Sequence, residues 1–181
     1  YAVSPVATRY LQGSTVSVSA TADTGWSFQR WSGDASGTSP TTTVVMDRNL
    51  TVQAVFGTTL ATSVVGPGSV QMSPATGPYA YGQVVRLFPK PNSGAAFSLW
   101  GSAASGSTNP LDYTVTAPGK TISALFSALG TAQVNLYWDV VGTGSVTVSP
   151  QKNSYAANET VTVTAVPGPN QVFTGWSGAL T

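Results

Sequence analysis

The sequence predicts an all-β protein made of three tandem small β modules, β-grasp-like or short-stranded β-sandwich-like, with no substantial helix. Three observations predict it. The first is a stretch that occurs three times in one register. It reads Tyr10-x-x-Gly13, Val16, Val18 and Phe28-x-x-Trp31; then Tyr79-x-x-Gly82, Val85, Leu87 and Phe97-x-x-Trp100; then Tyr155-x-x-Asn158, Val161, Val163 and Phe173-x-x-Trp176. Tyr10 precedes Tyr79 by the same interval as Trp31 precedes Trp100, and the second and third copies agree in the same way. A constant interval marks one supersecondary unit used as an array. The second observation is the strict alternation of Val16-Ser-Val18-Ser-Ala20 and Val161-Thr-Val163-Thr-Ala165, the pattern of a half-buried strand. The third is punctuation: 19 Gly and 12 Pro interrupt the chain, and no segment sustains a helical period.

The elements follow in order. Tyr1-Ala-Val-Ser-Pro5 reads as the end of a strand that aligns with Val70-Gln-Met-Ser-Pro74 and Val146-Thr-Val-Ser-Pro150. In copies two and three, Gly66-Pro-Gly68 and Gly142-Thr-Gly144 carry hairpin-turn chemistry. Residues 60–65 and 134–141 are therefore expected to pair as hairpins with the strands that follow. Pro5, Pro74 and Pro150 end those strands, because proline donates no ladder bond. Gly13, Gly82 and Asn158 fit turns that need positive φ. A short irregular link then reaches each Phe-x-x-Trp. These aromatics recur in register and read as core, where aromatic side chains dominate small modules. The polar loops after Trp31 and Trp100, residues 32–40 and 101–110, hold most of the plausible recognition surface. A closing hairpin is expected around Asp47-Arg-Asn49 in copy one and Pro118-Gly-Lys120 in copy two. The modules are 1–57, 58–128 and 129–181, with brief linkers at 57–59 and 127–131. Short linkers favour a semi-rigid string. Copy one lacks its opening strand and copy three its closing hairpin. Either the chain is part of a longer array, or complementary strand edges invite head-to-tail assembly.

Composition narrows the function. Charged residues make up 7% of the chain, against about a quarter in an average globular protein. The net charge is +1, from 7 basic and 6 acidic residues with no charge run. Nucleic-acid binding needs clustered Lys and Arg, so it is not expected. A charge near zero also weakens the repulsion that keeps copies apart. There is no Cys and no His. Ser-His and Cys-His catalysis are thereby excluded, as is a thiolate metal site. No apolar run reaches the ~18 residues of a membrane span, and Tyr1-Ala-Val-Ser-Pro5 does not read as a signal peptide.

The joint pattern Gly-Ser-Val-x-x-Ser-Pro, Tyr-x-x-Gly-x-x-Val-x-Val-x-Ala, Phe-x-x-Trp-Ser-Gly, Val-x-Met-Asp and Val-x-Ala-x-Phe resembles the divergent internalin B-type repeat of bacterial surface and secreted proteins. Copy two departs from it most, with Gly101-Ser102 for Ser-Gly and Pro118-Gly119 at the Met-Asp turn. The resemblance implies a small β module used as stalk, spacer or adhesive element, without common catalytic residues.

Taken together, these features lead us to expect a non-enzymatic protein, extracellular or on the bacterial cell surface, serving as structural stalk, adhesin segment or filament building block. No cofactor or metal is expected. Its partners would be copies of itself, neighbouring repeats of the same protein, or surface glycans. The alternative is a carbohydrate-binding accessory module of a secreted enzyme. Candidate recognition or contact residues are those outside the repeated core. Trp26, Tyr81, Tyr113, Tyr137 and Trp138 are non-repeating aromatics that could stack on sugars. Tyr137 and Trp138, adjacent on an expected strand, would point to opposite faces. Asp34 lies in a polar loop but has no acidic neighbour. Calcium wants six to eight oxygens, so a solvated loop aspartate is the expected role. Asn49-Leu-Thr51 and Asn158-Glu-Thr160 fit the glycosylation sequon.

Overall fold

The computed structural model describes residues 2–178. Of the strand expected over 1–5, Tyr1 therefore lies outside the described residues. Within them the chain is all strand and loop, with no helix. Module 1 comprises β1 (Ala2–Ser4), β2 (Thr15–Ser19), β3 (Ser27–Gly33), β4 (Thr41–Val45) and β5 (Val52–Thr58). One antiparallel sheet has the order β1-β2-β4, and β3 pairs with β5 in a second. The alternation of β2 sends Val16 and Val18 inward and Thr15, Ser17 and Ser19 outward. The core holds Val18, Ala20, Trp31 and Ala35, with Phe28, Val44, Ala54 and Phe56 packed against it.

Module 2 comprises β6 (Leu60–Val65), β7 (Gly68–Ser73), β8 (Tyr79–Ala80), β9 (Val84–Pro91), β10 (Ala95–Ser102), β11 (Leu111–Thr114) and β12 (Lys120–Ala128). Its two sheets run β7-β9-β11 and β10-β12-β6. Val85 and Leu87 from the first meet Leu60, Phe97, Trp100, Ile122, Ala124 and Phe126 from the second. This is a small sandwich with one core between two sheets. β12 pairs antiparallel with β10 but parallel with β6, from Lys120 opposite Leu60 to Leu125 opposite Val65.

Two sequence expectations change here. β6 and β7 are not a hairpin: β6 joins β12, and β7 joins β9. The Gly66-Pro67-Gly68 turn carries the chain from one sheet to the other. A Cβ on Gly66 would stand 2.1 Å from the Phe126 carbonyl oxygen, and one on Gly68 2.6 Å from the Phe126 ring. The glycines are thus required by the crossing over the core. The closing hairpins are crossings as well, since β4 pairs with β2 and β5 with β3, while β11 pairs with β9 and β12 with β10. Alternation reveals which face of a strand is buried; in a sandwich either sheet satisfies it.

The Phe-x-x-Trp motif is itself strand, in β3 and β10. The ladder shifts between Phe28 and Arg30, and again between Phe97 and Leu99. A β-bulge inserts one residue, so side chains three apart share a face and period two is broken. The tilted ring pairs Phe28/Trp31 and Phe97/Trp100 have centres 5.2 Å and 4.7 Å apart.

Module 3 comprises β13 (Gln133–Val134), β14 (Gly144–Ser149), β15 (Tyr155–Ala156) and β16 (Thr162–Pro167). β14 pairs with β16, as β7 does with β9. Residues 135–141, the counterpart of β6, form no strand, contrary to expectation. The tilted rings of Phe173 and Trp176 lie 5.0 Å apart and are 44% and 38% exposed. They line an open groove of ≈ 690 Å³ with Val146, Val163 and Ala165. In module 2 the equivalent space is filled by Ile122, Ala124 and Phe126.

Candidate functional site at the module joints

The repeated residues act first within modules. Tyr10 Oη donates to the Pro5 carbonyl at 2.9 Å, Tyr79 to Pro74 at 3.0 Å and Tyr155 to Pro150 at 2.9 Å. Each tyrosine pins the strand end made by its proline. Burial raises the Tyr79 pKa, which keeps that phenol a donor. Trp31 Nε1 donates to the Ser39 carbonyl at 2.9 Å and Trp100 Nε1 to Thr108 at 2.7 Å. The backbone N–H of each Trp bonds Gly37 or Gly106. The polar loops are therefore tied from beneath by the core indole.

The first joint is built by side chains that do not repeat. β5 runs into β6 with only Thr59 between them, and its end pairs with β8 of the next module, Gly57 opposite Ala80 and Thr58 opposite Tyr79. Residues 57 and 58 are thus ladder rather than linker. Thr58 is 3% exposed. Its Oγ1 donates to the Gly25 carbonyl at 2.8 Å and accepts from Gly119 N–H at 3.1 Å. One hydroxyl so bonds both modules. Trp26 is half-buried against the module 2 core and meets the exposed Tyr81 ring at 5.9 Å. Gly25, at φ +82, sits where a Cβ would be 2.8 Å from Pro118 Cβ.

The second joint keeps the ladder and changes the rest. β13 pairs with β15, Val134 opposite Tyr155, as Thr58 stands opposite Tyr79. Here residues 129–132 intervene after β12. Asn135 Nδ2 donates to the Ala95 carbonyl, Gln151 Nε2 to Asn109, and Asn153 Nδ2 to Ser107 at 3.3 Å. Lys90 Nζ lies 5.2 Å from the Tyr137 ring centre and 3.7 Å from Asp139. Tyr137 is 45% exposed, and Trp138 half-buried beside it in a small cleft with Asn109 and Asn153.

A family model described as the divergent InlB B-repeat domain matches residues 2–60, 58–130 and 138–181. The chain belongs to the divergent InlB B-repeat family. That family is associated with bacterial surface proteins. No curated protein and no solved structure matches the chain.

In InlB B-repeat terms, the remaining sequence candidates sit on the modules themselves. Tyr113, on β11 opposite Val85, packs against the module 2 core. Asp34 closes the loop of module 1: Oδ2 accepts from Thr51 N–H and Oδ1 from Arg48 Nη2, both at 2.7 Å. The Thr51 N–H and then the Arg48 guanidinium hold its carboxyl below the usual range. In the second InlB B-repeat, Ala103 keeps only the backbone contact to Thr121. Two further carboxylates are also engaged, Asp112 by Arg86 across β9 and β11, and Glu159 by Lys152. Among the described residues no three acidic, His or Cys side chains group as metal ligands. Among those residues no helix is long and apolar enough to cross a membrane.

The structure thus brings Trp26 and Tyr81 together at one joint and Tyr137 and Trp138 at the other, while Asp34 is engaged within module 1 and Tyr113 packs, like Trp26, on the module 2 core. Sequence reasoning missed Thr58, Gly25 and Asn135. Thr58 looks like any threonine in a polar linker. The one signal for it was the brevity of that linker, too short to leave room for a free hinge.

Proposed function

We propose that this chain is a non-enzymatic spacer, a stalk segment of an extracellular or cell-surface bacterial protein that holds what flanks it at a set distance. The first joint carries the reading. A strand that runs on from one module to the next, a buried hydroxyl bonded to both, and an aromatic contact oppose swivelling. The absence of His and Cys and the pairing of Asp34, Asp112 and Glu159 with cations support a role without catalysis. Adhesion and self-association would use neighbouring repeats as partners. Small-angle scattering of the chain and of Trp26→Ala tests the spacer. The expected outcome is a single extended envelope that shortens and broadens in the variant. Wild-type data that fit only freely jointed modules would rule the spacer out.

A second reading keeps support at the other joint, where exposed Tyr137 stands beside the amides of Asn109 and Asn153. Such a cleft suits a surface glycan. A glycan array decides it: binding lost in Tyr137→Ala favours the sugar reading, and a blank array with the wild-type chain removes it.

A further inference from the structure

We infer that module 2 is a mechanical clamp, with β6 and β12 forming the element that resists tension along the array. The inference rests on the spacer reading for its biological use, but its geometry stands alone. Tension from module 1 enters module 2 at Leu60, because β5 leads through Thr59 directly into β6. Tension toward module 3 leaves at Ala128, the end of β12. These two strands are neighbours and run parallel, with Leu60 opposite Lys120 and Val65 opposite Leu125. The points of entry and exit therefore lie at opposite ends of one parallel ladder.

Direction decides how such a ladder fails. Pulling the start of one parallel strand against the end of the other slides the strands along their own axis. Every slanted ladder bond between them is strained at once. Pulling both strands at the same end opens the bonds one after another. The first geometry has a higher barrier with identical contacts, and forced unfolding follows the barrier to unfolding, not equilibrium stability. The burial pattern reinforces the sliding path. Ile122, Ala124 and Phe126 alternate inward along β12 into the core, so displacement of β12 also drags them past Leu87, Phe97 and Trp100. Phe126 is held against the Gly66 and Gly68 crossing at the far end of β6.

The chain contains no cysteine, so handles can be placed at will for single-molecule pulling. Thr59→Cys with Ala128→Cys loads the ladder along its axis. Thr59→Cys with Lys120→Cys loads the same fold across it. The sites are exposed, and both proteins keep every core side chain. The axial pair is expected to rupture at clearly higher force. Full release of residues 60–128 should lengthen the axial tether by roughly 200 Å, at about 3.4 Å per residue. A further pair of variants tests the ladder: Thr62→Pro and Ser63→Pro. Successive N–H groups of a strand point to opposite edges, and proline is tolerated where its missing donor faces solvent. One variant should lose the high-force event and the other keep it. Equal rupture forces along the two axes overturn the clamp, as does a high-force event that survives both prolines. A clamp found in a chain whose scattering fits freely jointed modules would sink the spacer reading alone.

Discussion

At the scale of single residues, the repeated tyrosine and tryptophan act as fasteners as well as core. A tyrosine hydroxyl reaches back to the carbonyl of a proline in all three modules, at almost one distance. Tyr79→Phe removes a buried instance and should cost about 1 kcal/mol in a urea titration. Tyr10→Phe, at a more exposed site, should cost less. Asp34 sets a pH dependence. Its folded pKa is depressed, chiefly by the Thr51 N–H bond and then by Arg48, from an ordinary value of 3.8. A depressed carboxyl stabilises the fold above its unfolded pKa and loses that contribution as pH falls through the folded value. The melting-temperature gap between the wild type and Asp34→Asn should therefore be full near neutrality. It should close below pH 3.8, as thermal melts across that window would show.

At the scale of elements, much was legible and the pairing was not. Val16, Val18, Val85 and Leu87 are buried as their alternation predicts, and Gly13, Gly82 and Asn158 adopt positive φ as their turns require. Phe28 and Trp31 could not be read as strand, because a bulge places residues three apart on one face. The crossings at 66–68 and 47–49 resemble hairpin turns in local chemistry, and only the second sheet distinguishes them. Asp34 was chosen by its place in a polar loop, and the five aromatic candidates by failing to repeat. That criterion led to Trp26 and Tyr81 because a joint meets a different neighbour at each end. It led to Tyr113 as well, which packs on an ordinary core. Thr58, though equally non-repeating, is a small polar residue that a search among aromatics passes over. Thr58→Val leaves the Gly25 carbonyl and the Gly119 N–H without their partner, so it should destabilise by about 1–3 kcal/mol. Hydrogen exchange should report the loss at Gly119 before it reaches the module cores.

At the scale of the whole molecule, stability is shared across module boundaries. Arrays of this kind gain from each repeat and from each interface between neighbours. The sheet of module 1 is completed by β8, which lies in the sequence of module 2. A fragment spanning 60–128 keeps β8 and loses β5, whereas one spanning 52–128 keeps both. Chemical denaturation should find the longer fragment the more stable, with the added strand ordered in its amide spectrum. The same ladder bears on how such proteins change length over generations. Duplication copies a sequence period, but folding closes a sheet across the seam between copies. Inserting or deleting one whole period therefore adds or removes a module together with its seam. At the first seam it rejoins a strand of the β5 kind to one of the β8 kind, and at the second one of the β13 kind to one of the β15 kind. Array length can drift by whole copies without exposing a new edge, while a change of part of a period would leave one strand without its mate.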